Sequence, residues 1–74
     1  MAQHSKMHLN NWLQSRYGHT NRVTYELIHY GSEDSGYWMT IAYFDNVEYG
    51  RGTGRTKTEA TDNAAEQVLN ALRG

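Results

Sequence analysis

The chain has no cysteine and no proline among its 74 residues. Without thiols it has no disulfide framework, no thiolate metal site and no cysteine nucleophile. Its longest apolar run is a few residues, far short of the ~18 that span a bilayer, and no signal-peptide pattern opens it. It also lacks an excess of either charge: seven Lys and Arg face eight Asp and Glu, a net charge of -1. A general nucleic-acid binder is usually basic overall, so this balance argues against strong non-specific binding. One small domain is expected, with nine aromatics (six Tyr, two Trp, one Phe) supplying core volume that the few aliphatics cannot. The absence of cysteine and of targeting signals points to an intracellular setting, and the end at Arg73 and Gly74 fits either a domain cut from a longer chain or a short natural chain.

Residues 1–6 show no periodicity and are expected to form a flexible tail, followed by a module over residues 7–73. Leu9, Trp12, Leu13 and Tyr17 form an i, i+3, i+4, i+8 stripe, which predicts a helix from about Lys6 to Tyr17 that ends at Gly18. His4 and His8 stand at helical i, i+4 spacing, but no third ligand accompanies them, and they read as surface residues. Residues 23–30 (VTYELIHY) and 37–44 (YWMTIAYF) are β-branched and aromatic, and predict two strands joined by the polar loop Gly31 to Gly36. Asp45 and Asn46 are a two-residue hairpin signal leading into a third strand, Val47 to Arg51. Thr56 and Glu59 form a capping box, and Ala60, Ala64, Val68 and Leu72, widened by Ala65 and Leu69, predict a second helix over Lys57 to Leu72. The expected fold is α+β, in the order α-β-β-β-α: a three-stranded antiparallel sheet with both helices packed on one face.

Gly50, Gly52 and Gly54 sit at the join of the third strand and the capped second helix, with Arg51, Arg55 and Lys57 interleaved. Two readings are open: a loop offering helix-terminal amides and cations to a phosphate, or glycines that release a tight turn. The Gly-Lys-Ser/Thr ending of a P-loop is missing, and too few residues follow for a dinucleotide fold, so no nucleotide cofactor is expected.

The run from Tyr49 to Leu72 (YGRGTGRTKTEATDNAAEQVLNAL) resembles the C-terminal half of the double-stranded-RNA-binding domain, whose pattern is G-x-G-x-[ST]-K-K-x-A-K-x-x-A-A. Leu9 to Gln14 (LNNWLQ) is similar to its first helix, L-N-E-L-A-Q, and the resemblance extends over about residues 7–72. It implies shape recognition of an RNA duplex through three regions. Members of this family include some that bind proteins instead. In the first helix Gln14 matches a contact position, and Asn11 replaces a glutamate at another while keeping hydrogen-bonding capacity toward a 2′-hydroxyl. Between strands one and two the family's G-P-x-H becomes Gly31-Ser-Glu-Asp34, which loses the proline and sets carboxylates where phosphates would lie. At the second helix Lys57 alone survives of three lysines, with Thr58 and Thr61 in the other two positions and Arg51 and Arg55 as partial substitutes. The resemblance therefore implies weak, salt-sensitive duplex binding through Asn11, Gln14, Arg51, Arg55 and Lys57.

If Trp38, Thr40, Ala42 and Phe44 face the helices, then Met39, Ile41 and Tyr43 lie on the opposite sheet face. An apolar patch there suits a protein partner or a second copy, through that face or the third strand; a slipped register would remove it. No Ser/His/Asp order or paired carboxylates suggest catalysis, and no enzyme activity or cofactor is expected.

Overall fold

A computed structural model describes residues 4–74. The chain runs α1 (Ser5–Tyr17), β1 (Val23–Tyr30), β2 (Tyr37–Phe44), β3 (Val47–Gly54) and α2 (Lys57–Arg73). The strands form one antiparallel sheet in the order β1-β2-β3. Of the residues expected in a tail, Met1 to Gln3 lie outside those described, while Ser5 and Lys6 are already helical.

Apolar periodicity accounts for both helices. Leu9 and Leu13 of α1 are fully buried, with Trp12 and Tyr17 packed beside them. Ala60, Ala64, Ala65 and Val68 of α2 are equally inaccessible. Leu9, Leu13, Ala64, Ala65 and Val68 cluster with Ala42 and Phe44 of β2, so the core lies between the helices and one sheet face. Thr40 of β2 and Thr61 of α2 are also buried on that side, where their hydroxyls bond to each other at 3.1 Å. Pairing matters here, because a buried hydroxyl without a partner costs roughly 1–3 kcal/mol.

Turn chemistry fixes the joints. Gly18 ends α1 at φ 81°, and its amide donates to the Gln14 carbonyl at 2.9 Å. Asp45 and Asn46 both take positive φ, 52° and 66°, as the tight β2–β3 hairpin requires. The Thr56 hydroxyl accepts from the Glu59 amide at 3.1 Å. The reciprocal arm of the box lands one residue upstream, with the Glu59 carboxylate accepting from the Arg55 amide.

Strand β3 runs three residues beyond the expected Arg51, and this corrects the reading of the glycines as a tight turn. Gly50, Gly52 and Gly54 are strand residues, and none has positive φ. Their absent side chains let α2 lie directly on β3. A Cβ at Gly50 would stand 2.9 Å from the Ala64 carbonyl oxygen, and one at Gly54 would stand 2.8 Å from the Ala60 amide nitrogen. The alternating glycines face the α2 backbone around Ala60 and Ala64 and the side-chain stems of Glu59, Asn63 and Gln67; they make no turn, and the helix-terminal amides and Lys57 lie beyond them.

Arg22, expected only as part of a polar loop, ties two loops together. Its guanidinium makes two bonds to Asp45, at 2.9 and 2.6 Å, and lies over the rings of Tyr17 and Phe44. Those bonds hold the Asp45 carboxyl below its ordinary value of 3.8. A carboxylate with a depressed folded pKa adds stability above about pH 4 and loses it as pH falls through the folded value. Asp45→Asn keeps a residue that tolerates positive φ and removes only the charge. This variant should show a lower thermal midpoint at pH 7 and a shallower loss of stability below pH 4, as read by circular dichroism melts across pH 2–7.

Candidate nucleic-acid interface

Three surfaces carry the residues singled out in the sequence. On α1, Asn11 and Gln14 are exposed, and their i, i+3 spacing puts them on one stripe. Met7, one turn before Asn11, extends this stripe and is 53% exposed. Asn11 borders a small cleft with His8, Trp12 and Leu69, closed by Arg73 from the end of α2.

At the N-terminus of α2, the Lys57 ammonium lies 4.9 Å from the centre of the Trp38 ring, whose other neighbour is His29 at 4.8 Å. Trp38 thus gives the lysine a defined seat. The first amides of α2 have no carbonyl of their own helix to bond, which makes this end attractive to an anion. Arg55, just before the N-cap, is exposed and borders a cleft with Glu33 and Asp34 of the β1–β2 loop. That loop is bonded to itself: the Ser32 and Ser35 hydroxyls lie 2.7 Å apart, and the Gly36 amide donates to the Ser32 carbonyl. Gly31, at φ 84°, allows the chain to enter this turn. The loop therefore presents its carboxylates at a compact tip beside Arg55.

Arg51 stands elsewhere. It is the cross-strand neighbour of Ile41, on the face away from the helices, and its guanidinium makes two bonds to Glu48. Those bonds raise the arginine pKa and hold the Glu48 carboxyl low. Lys57 and its seat Trp38 belong to the helix side of the sheet, so the structure does not bring Arg51 and Lys57 together.

The open sheet face has the register that alternation implies. Met39, Ile41 and Tyr43 pair with Ile28, Glu26 and Thr24 of β1. Ile41 is only 8% exposed, flanked by Glu26 and Arg51, while Met39 and Tyr43 are half-buried. The Tyr43 hydroxyl donates to Glu26 at 2.9 Å, and this bond raises its pKa. A bulge after Ala42 leaves Tyr49 without a cross-strand partner and packs its ring edge-on to Phe44. Tyr30 and Tyr37 are exposed like Tyr49, and they stack at 5.3 Å beside the β1–β2 loop.

The helix, three strands and helix, the glycines of β3 pressed on the alanines of α2, and the capped α2 with its N-terminal lysine form one consistent set. The family model for the double-stranded RNA binding motif matches residues 5–72, nearly the whole chain. This chain is a member of the double-stranded-RNA-binding domain family. No curated protein matches it. The domain departs from the family pattern at the places the sequence marked: Thr58 and Thr61 replace lysines in α2, and acidic residues occupy the β1–β2 loop. Residue spacing alone gave no sign of two further features, the Trp38 seat beneath Lys57 and the position of Lys6 close to the start of α2.

Proposed function

We propose that this domain acts by binding, not catalysis, and recognises double-stranded RNA by shape. In this reading the outer stripe of α1, with Asn11 and Gln14, lies in a minor groove, where 2′-hydroxyls distinguish RNA from DNA. Lys57, Arg55 and the free amides of α2 meet phosphates across the adjoining major groove. The observation that carries the reading is the seat of Lys57: a cation outside any ion pair among the described residues, held over Trp38 at the positive end of a capped helix. Arg51 adds least to such a surface, because Glu48 already answers its charge.

Affinity is weak in this account. Two lysine positions of the family are threonines, and Glu33 and Asp34 stand beside Arg55. Lys57→Ala should lower affinity for a ~20-bp RNA duplex and reduce the slope of log K against log salt by about 0.9, as expected for one lost phosphate contact. Anisotropy titrations at several salt concentrations measure both quantities. The melt should barely change, since Lys57 is exposed and the hydroxyl of its neighbour Thr56 caps the helix start. Unchanged affinity and slope would remove Lys57 from the interface.

A second reading rests on the stacked and exposed Tyr30–Tyr37 pair, which borders the sheet face formed by Met39, Ile41 and Tyr43. In that reading the face, or edge strand β3, pairs with a protein partner or a second copy. A dimer seen by light scattering at high concentration supports it, and a strict monomer contradicts self-association. The coverage of Ile41 within the chain favours the RNA reading.

A further inference from the structure

The start of α1 is capped from outside its own segment. His4, which precedes the helix, makes no side-chain cap, and the Lys6 amide donates instead to the Asp62 carboxylate of α2 at 3.1 Å. This bond draws the first turn of α1 against the first turns of α2 and sets Lys6 on the rim of a groove of about 340 Å³. Tyr25 and Leu27 of β1 line the groove, together with Lys57 and Thr58 of α2. Leu27 is 40% exposed, so the helix-facing side of β1 is left open here.

The charges converge from two elements. The Lys6 ammonium lies 5.5 Å from the centre of the Tyr25 ring, and the Lys57 ammonium lies over Trp38. The ion pairs among the described residues are Arg22–Asp45 and Arg51–Glu48, so neither lysine is neutralised. Asp62 is the one carboxylate lining the groove, and it is engaged with a backbone amide. Two ammonium groups against one carboxylate leave the groove cationic. The apolar surface of Tyr25 and Leu27 weakens local screening and strengthens attraction for an anion. Burial pushes the Tyr25 hydroxyl up to about 12, with the Asp62 charge adding to the effect, so at neutral pH this phenol brings no negative charge to the groove.

We propose that Lys6 is a second phosphate contact: the groove takes one backbone phosphate of an RNA duplex between Lys6 and Lys57. The proposal rests on the duplex-RNA reading above and adds a residue to it. It places on α1 a cation that α2 lacks at Thr58 and Thr61. Asp62 serves as a positioning residue, because it holds the lysine's backbone and does not itself meet the anion.

The test uses the full chain and a ~20-bp RNA duplex, with dissociation constants measured over a range of salt. Lys6→Ala should weaken binding roughly three- to tenfold at low salt and lower the salt slope by about 0.9; Lys6→Arg should restore both. Combining Lys6→Ala with Lys57→Ala should lower the slope by about 1.8, two contacts' worth. Thermal melts accompany each variant, and Lys6→Gln replaces the alanine variant if that one melts early. If the unaltered protein binds the duplex with a normal salt slope and Lys6→Ala binds identically, the inference is overturned and the duplex reading stands. If the unaltered protein does not bind at low salt, both fall together.

Discussion

Gly52→Ala is expected to unfold the domain or leave it barely folded at 25 °C. The added methyl would stand 2.6 Å from the Ala60 carbonyl oxygen and closer still to the Ala64 amide nitrogen, both backbone atoms of α2. Ordinary contact needs about 3.5 Å, so helix and strand would have to part by roughly 1 Å. Side chains cannot swing aside to relieve the clash, and parting the two elements opens the core at Ala60 and Ala64. The cost is roughly 3 kcal/mol or more. The smaller unfolded-state entropy of alanine returns only ~0.4–1 kcal/mol. A 74-residue domain has roughly 4–11 kcal/mol of stability, so the loss takes a large share of it. Gly18→Ala is the control. Nothing lies within 4 Å of that position, and the penalty is only the positive φ of 81°, about 1–2 kcal/mol. Urea titrations of both variants should show Gly52→Ala shifted much further. Equal shifts would mean that close approach of α2 to β3 is not what the glycine serves.

Leu9→Ala should be nearly as damaging, and its damage should centre on α1. Leu9 is fully buried, and with Leu13 it is the main anchor of a helix of thirteen residues. A helix of that length is marginal alone in water, so its order depends on packing. Truncation to alanine removes the transfer energy of the side chain and leaves a cavity, together about 2–5 kcal/mol. For a domain of this size each kcal/mol moves the midpoint by ~4–8 °C, so a fall of at least ~8 °C is expected. Hydrogen exchange should show α1 amides losing protection before those of the sheet. On the proposed contacts, duplex binding should weaken as well, although Leu9 itself is buried, because Asn11, Gln14 and Lys6 are carried on that helix.

Most of the architecture was legible because its signals are local. The Leu9, Leu13 and Tyr17 spacing, the Asp45–Asn46 turn, the Thr56 cap and the alanines of α2 each lie within one element or one joint. What escaped detection depends on residues far apart in sequence. Gly52 and Gly54 read as a joint because glycine next to a helix start usually marks one; the role of the β3 glycines shows only once α2 is laid across the strand. Arg22 meets Asp45 twenty-three positions later. Arg51 belongs to the same basic cluster as Lys57 in sequence, yet strand alternation turns it to the far face, toward Glu48. Ile41 looked like the centre of an open patch, but its cross-strand neighbours Glu26 and Arg51 flank it and leave it little exposed. Lys6 fell in a segment without periodicity, and its relation to Lys57 passes through Asp62 and Tyr25.

The charge balance takes on a local meaning in this light. A net charge of -1 averages over a surface on which Lys6, Arg55 and Lys57 gather near the two helix starts. Glu33 and Asp34 lie in the β1–β2 loop, Asp45 and Glu48 are in ion pairs, and Glu26, Glu59, Asp62 and Glu66 are spread over β1 and α2. Overall neutrality suppresses long-range steering, which falls off over about 10 Å at 0.1 M salt, but leaves short-range contact with a phosphate intact.

The most direct test of duplex-RNA recognition is a titration of the unaltered protein with a ~20-bp duplex made as RNA and, in the same sequence, as DNA, at about 50 and 200 mM salt. The account predicts binding to the RNA at the lower salt, a marked loss at the higher salt, and much weaker binding to the DNA. Failure to bind RNA at the lower salt, or equal binding to both duplexes, would contradict it.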